Sequence, residues 1–400
     1  MRIAHPIARA WLSAGGTGAQ NYDEFADDAE ITAIIAGNPD SALAIEMPHL
    51  APESLGTSFT AALPAAAARL RAAQAAGRYR PHEETVALYR ISGPDGIGYG
   101  VWAMVDTDQI STSADEPGLV IRNEDVFPEK VRERVALARA IEHLLSPVLL
   151  LQTARGDALH EALARATARA GTPAVADADQ AGRLHEVWPL GPGTAQDEIL
   201  ALAGGGELVV ADGNHRSLAA QTAGLPRFLA VVTTPASVAI QPYNRLVGEL
   251  TLPVDELLAR LAAAGASVRP AAEIAVPATR GTVVLYTRGG GYAVTLPADP
   301  GGSAVDNLDH ALVERVLLRD ALGLDAGDKR ITYVGGDYPA GWLAGEVGAG
   351  RAELAVLIAP VSVPDFVAVN LARLKLPRKS TWFTPKARAG LVAAQVPAGR

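Results

Sequence analysis

The sequence predicts a mixed α+β fold, on three observations. Short apolar runs rich in Val, Leu and Ile recur along the chain. Longer alanine-rich segments of helical period lie between them, and Gly or Pro signals punctuate the joints. Strands alternating with helices in this way belong to the α/β or α+β classes.

Each element has a local reason. "DEFADDAEITAIIAGNP" reads as a helix ended by Gly37, Asn38 and Pro39, and "SFTAALPAAAARLRAAQAAG" as another stopped by Gly77. "TVALYRISG" and "IGYGVWAMVDT" are β-branched and aromatic, and Gly93-Pro94-Asp95-Gly96 joins them as a turn. Pro128 suits the first turn of a helix, where its missing N–H costs nothing. Val131, Val135, Leu137, Ile141 and Leu144 continue that helix, and Pro147 is expected to end it. "VLLLQTA" is a buried strand, "GDALHEALARATARAG" a helix, "ELVVAD" a strand and "FLAVVTT" another. Beyond residue 250, helices are expected at 305–323 and 338–348, and strands at "RITYVGG" and "ELAVLIAP".

Composition narrows the function. The 400 residues are 49% hydrophobic and 20% charged, and the formal charge of -9 argues against nucleic acid as a partner. Cysteine is absent, which excludes disulfides, thiolate nucleophiles and Cys-ligated metals. The first residues make a poor signal peptide, and no window has the roughly 20 apolar residues of a membrane helix. A soluble, cytoplasmic protein with no membrane partner is the expectation. Lysine occurs only as Lys130, Lys329, Lys375, Lys379 and Lys386, and three of the five sit in "KLPRKSTWFTPK".

The most informative stretch is "ELVVADGNHRSLAAQTAG", where a strand hands over to a helix. A helix start offers unpaired N–H groups and the positive end of the macrodipole, together an anion site. Gly213 lets a ligand approach the backbone, and Asn214, His215 and Arg216 sit where an anion would lie. Arg adds a fixed charge and a fork suited to phosphate oxygens. Asp212 is placed to accept a proton, hold Mg²⁺ or orient a substrate amine. The competing reading is structural: Asp212 or Asn214 caps the helix, and Arg216 pairs with an acid. No glycine-rich phosphate loop or dinucleotide fingerprint is present.

The "ADGNHR" turn resembles the D-G-H-H-R turn of the ParB/sulfiredoxin-like fold, which binds nucleotide phosphates. "AGNPDSALAIEMP", "IRNEDVFPEKVRERVAL" leading to "LSPVLLL", "QPYNRLV" and "LPRKSTWFTPKARAGL" extend the likeness over most of the chain. Together they resemble the bacterial and archaeal domain of unknown function 1015. That resemblance implies an N-terminal α/β region at 1–95, a ParB/sulfiredoxin-like phosphate-binding core at 96–250, and a C-terminal α/β region at 251–400 carrying a phosphate-contacting tail.

A smaller family of the same fold, the archaeal free serine kinases, phosphorylates L-serine. The resemblance to it implies a small-molecule kinase making O-phosphoserine, with Mg²⁺ and with ATP, ADP or pyrophosphate as donor. Its catalytic base falls on Glu124, and Asp212 and His215 complete the implied catalytic set. Gly213, Asn214, His215, Arg216, Lys379, Ser380, Thr381, Lys386 and Arg388 are the implied phosphate or nucleotide contacts. Arg245, which reads equally as half of a structural ion pair, and Asn123 are candidates for substrate binding; no metal ligand is assigned, though Asp212 is a candidate for Mg²⁺.

Two positions depart from the family pattern, with Asn123 and Asn214 where it has histidines. Asn replaces imidazole as a neutral donor or acceptor but not as an acid, base or cation. Asp23, Glu24 and Glu46 read either as a substrate-amine pocket or as solvated acids. His49, His82, His143 and His160 lack metal-ligand spacing. Two other functions stay open at this stage: a nucleotide-binding switch responding to CTP or ATP, and a phosphate-ester hydrolase.

Overall fold

The computed structural model describes residues 2–25, 27–111, 118–278 and 280–397. The fold is mixed α and β, and the chain divides into two compact units: Met1–Val238 with Pro385–Arg400, and Ala239–Thr384. This differs from joints after 95 and 250. The first of those would cut the turn of a hairpin, because Tyr79–Gly93 pairs antiparallel with Gly96–Asp106 as far as Gly93 opposite Gly96. The second would split the second unit, where Asn244–Val247 pairs with both Leu354–Leu357 and Ile331–Val334. The tail belongs to the first unit, with Val392–Gln395 paired to Ile7–Ser13. Pairings between distant segments leave no local mark in the sequence.

The sheet of the first unit runs Ile110–Ser111, Val120–Ile121, Leu208–Asp212, Val148–Gln152, Arg227–Thr233, Gly96–Asp106, Tyr79–Gly93, Ile7–Ser13, Val392–Gln395 and His143–Leu144. Every residue of Val148–Gln152 is buried. An unbroken apolar run is what a strand covered on both faces requires. Besides Gly96–Asp106, Tyr79–Gly93 has two further partners in succession: its first half pairs with Ile7–Ser13 and its second with Leu184–Leu190. Glu84, at the changeover, takes a positive φ of 44°.

The helix Phe59–Ala75 begins where the Ser58 side chain accepts a hydrogen bond from the Ala61 amide. Phe59, Ala62, Leu63, Ala66 and Leu70 repeat at three- and four-residue spacing and are buried. They pack toward Pro128–Ile141, whose buried face includes Val131, Leu137 and Ile141. Each fully buried large apolar side chain contributes roughly 1.5–3 kcal/mol.

Several elements differ from the sequence reading. Pro128–Ile141 ends six residues before Pro147, because Glu142 turns left-handed at φ 54° and His143–Leu144 joins the sheet. Helices usually stop this way at Gly, so Glu142 carries no signal. The first helix starts at Asp28, capped by the Asp27 carboxylate on the Ala29 amide. Ile7–Ser13 and Leu184–Leu190 are strands that the pattern did not suggest.

The second unit holds a six-stranded antiparallel sheet, ordered Ser267–Pro270, Gly290–Thr295, Val283–Thr287, Leu354–Leu357, Asn244–Val247 and Ile331–Val334. The helix expected at 305–323 is Asp309–Leu312 continuing as a π-helix over Val313–Ala321. Its Val313, Val316 and Leu317 enter the core with Leu257 and Leu354.

Trp102, on the central strand Gly96–Asp106, is wholly buried. Trp102→Ala is expected to lower unfolding free energy by roughly 3–5 kcal/mol through lost transfer and a residual cavity. Denaturant titration monitored by circular dichroism checks this.

Candidate functional site

The site lies in the first unit, at the end of Leu208–Asp212. Pairing with Val148–Gln152 is regular to Val210 and then shifts, so that Asp212 faces Leu149. Such a bulge re-aims the side chain beyond it. Gly213 follows in the left-handed region at φ 97°, and the helix Asn214–Thr222 begins. A Cβ on Gly213 would stand 3.0 Å from Arg216 Nε and 3.2 Å from the Val148 Cα. Glycine is needed here for its dihedral and for the space it leaves to the guanidinium.

Arg216 is the hub. Nη1 donates to Asn21 Oδ1 at 2.8 Å and to the Pro147 carbonyl at 2.6 Å, and Nη2 donates to Asp212 Oδ2 at 2.7 Å. Asp23 Oδ1 lies 3.9 Å from Nη2. Burial works against the charge, but Asp212 and Asp23 outweigh it and hold the pKa above the ordinary arginine value. Nε is buried beside Gly213 with no acceptor among the described residues, so one donor of the fork is unused at the helix start. Lys386 Nζ approaches Asp212 Oδ1 at 3.5 Å. Two cations therefore grip one carboxylate.

Asn123 and Asn214 bind each other: Asn214 Nδ2 donates to Asn123 Oδ1 at 2.6 Å. Next to them the Phe127 amide donates to His215 Nε2 at 2.9 Å, and the Phe127 and His215 rings stack. An Nε2 that accepts from an amide fixes the neutral tautomer with its proton on Nδ1. These two bonds pin residues 123–127, Glu124 among them, against the turn; Glu124 is half-buried.

The acids at 23 and 24 are not solvated. The Glu24 carboxyl is buried, and its Oε1 accepts from the Asn21 amide at 2.9 Å and from Asn21 Nδ2 at 2.7 Å. Burial pushes its pKa up to about 7; Lys386 pulls it down, while Asp212 and Asp23 push it up. A carboxyl raised in the folded state contributes stability that is present below the ordinary glutamate range and lost as pH rises through about 7. Sequence reasoning singled out "NYDEF" but had no means to bury it. The available signal was Asn21 three residues before Glu24, a capping-box spacing.

The other expected residues divide between the two units. Arg388 donates from Nη2 to the Gly18 carbonyl at 3.0 Å, and its Nε meets Asp177 Oδ2 at 2.5 Å, so it is already spent on an ion pair. Arg245, expected to bind substrate, is a structural cation of the second unit. It is fully buried, donates to the carbonyls of Tyr243, Asn244 and Arg378, lies 3.6 Å from Glu314 and faces the Tyr333 ring. Burial lowers its pKa. Ser380, also in the second unit, is buried and donates to the Pro377 carbonyl at 2.6 Å. Lys379 there takes φ 56° and lies over the Tyr243 ring; Thr381 is half-buried.

A resident Mg²⁺ does not fit Asp212, because both carboxylate oxygens face cations. Among the described residues no group of three His, Cys, Asp or Glu could hold a metal ion. No helix among them is long and apolar enough to cross a membrane.

The chain belongs to the protein family of unknown function DUF1015, whose model matches residues 16–311. No curated protein matches it in sequence. Among solved structures it is similar to a free serine kinase in complex with AMP, at 14% identity and a TM-score of 0.40 over 71% of this chain and 87% of that one. A conserved hypothetical protein from Pyrococcus furiosus gives 14% and 0.40 over 72% and 95%. SbnI from Staphylococcus aureus, truncated at its C-terminus, gives 13% and 0.39 over 74% and 87%. These are distant likenesses.

Gly213→Ala would force a strained left-handed alanine and push its Cβ into the Arg216 guanidinium. A loss of roughly 1–3 kcal/mol is expected, together with loosening of the Arg216–Asp212 pair. Thermal unfolding and arginine side-chain NMR check both.

Proposed function

We propose that this member of the family is a phosphotransferase acting on the hydroxyl of a free amino acid, converting L-serine to O-phosphoserine. The observation that carries the reading is the approach of Arg216 and Lys386, 170 residues apart in the chain, to Asp212 at 2.7 and 3.5 Å beside a glycine-opened helix start. Phosphoryl transfer asks little covalent chemistry of a protein and much positioned positive charge. Arg216 Nε, Lys386 and the first amides of the helix supply such charge where equatorial phosphoryl oxygens would lie. In this reading Asp212 holds the two cations in place until the anion arrives.

Glu124 is the proposed acceptor of the alcohol proton, released as the new O–P bond forms and the bond to the leaving phosphate breaks. His215 acts as a neutral positioning group, since its Nε2 is committed to the Phe127 amide. The donor is ATP, ADP or pyrophosphate. No described residue of the site would hold Mg²⁺; if the donor carries one on its phosphate oxygens, it would supply charge neutralisation there. Lys379, Ser380 and Thr381 are outside this proposal, and so is Arg388, which is paired with Asp177.

Phosphorus NMR of serine, threonine and homoserine incubated with each donor tests the reading. A new phosphomonoester supports it. Tight nucleotide binding with no phosphorylated amino acid overturns it in favour of a nucleotide-binding switch, and release of phosphate from added esters in favour of a hydrolase. Glu124→Gln is expected to cut turnover by roughly 10²–10⁴-fold with donor affinity nearly intact. Unchanged turnover in that variant removes Glu124 from the role of base.

A further inference from the structure

Glu24 has no part in the mechanism above, yet it is buried and accepts from Asn21, the side chain that itself accepts from Arg216. Three carboxyls (Asp23, Glu24 and Asp212) share the site with two cations, Arg216 and Lys386. Asp212 is bonded to Arg216 and faces Lys386, and Asp23 lies 3.9 Å from the Arg216 guanidinium. Among the described residues the Glu24 carboxyl accepts hydrogen bonds from the neutral Asn21, with the Lys386 charge acting on it through space. An unpaired buried carboxylate is costly, and the group escapes that cost by holding a proton. Glu24 is therefore a carboxyl that gains from protonation.

Arrival of a tetrahedral oxyanion strengthens this preference. Ionised, Glu24 only accepts hydrogen bonds and repels the anion; protonated, it becomes a donor. We propose that Glu24 is an additional anion-site residue, a carboxyl that takes up a proton when a phosphate-like dianion binds beside Arg216 and Lys386. The proposal rests on the reading of the Gly213 helix start as an anion site, which the buried, unpartnered Arg216 Nε supports independently. The charged groups facing Glu24 are Lys386 from the tail, Asp212 from the strand end and Asp23 from its own segment. With the free carboxyl poised near 7, binding couples to proton uptake in the neutral range.

Sulfate is the probe, since it is tetrahedral, doubly charged and does not titrate near neutrality. Calorimetry of sulfate binding to the full chain, in buffers of different ionisation enthalpy, reads the proton uptake. About half a proton per sulfate is expected at pH 7, and more at pH 8. The association constant should fall towards tenfold per pH unit above about 7. Glu24→Gln keeps the shape and the neutrality, so it should bind sulfate with no uptake and with affinity flat from pH 6 to 8. Carbon-13 NMR of the Glu24 carboxyl in the wild-type chain gives a second readout: a midpoint near 7 that moves up by about two units or more at saturating sulfate. Uptake persisting in Glu24→Gln assigns the proton to another group, such as His215, and overturns the role of Glu24 alone. So does a carboxyl midpoint that sulfate leaves unmoved. No sulfate binding at any pH overturns the anion site and this inference together.

Discussion

The first unit is organised around one buried guanidinium. Arg216 ties together the N-terminal segment through Asn21, the strand-leading carbonyl of Pro147 and the strand end at Asp212. Asn21 in turn donates to the Ala387 carbonyl, which draws the C-terminal tail to the same point. Four stretches of chain thus meet on one charge. A charge so buried is tolerable only while its partners hold their geometry; removing one partner of a buried pair typically costs about 3–5 kcal/mol. The requirement explains the glycine at 213, since any side chain there would occupy the guanidinium's place.

Around this hub the charges are nearly balanced, with the excess on the acidic side. That balance separates this pocket from a simple basic cradle. A cradle of bare cations would bind any anion; here Asp212 already occupies both cations, and an incoming oxyanion must compete with it or share them. The two asparagines fit the same logic. Asn123 and Asn214 satisfy each other without adding a titratable group. His215 beside them is held by the Phe127 amide at its Nε2.

Much of the fold was legible residue by residue. The Gly93–Gly96 turn, Pro128 at a helix start, the apolar run at 148–152 and the Asp212-to-helix handover all appear where local chemistry puts them. Elements without a local signal escaped: the left-handed stop at Glu142, the strand Leu184–Leu190 interrupted by His185 and Glu186, and the π-helical turn of Val313–Ala321. Their form is imposed by neighbours. Among the site residues, the Asp212–Arg216 turn was marked by its own composition, while Glu24 looked like one more surface acid.

By itself, the sequence determined which segments are strands and helices over most of the chain, and that one strand-to-helix turn carries an unusual set of polar groups. Those are local properties, set by periodicity, turn chemistry and the glycine at 213. Only the tertiary structure decided that Lys386 faces Asp212 and that Arg388 does not stay free but pairs with Asp177. It alone decided that Arg245 is sealed inside and that Glu24 is buried among charges. The reason is physical. Whether a charged side chain works as a ligand, a brace or a proton store depends on its desolvation and on the charges brought beside it, and both are set by contacts between residues hundreds of positions apart.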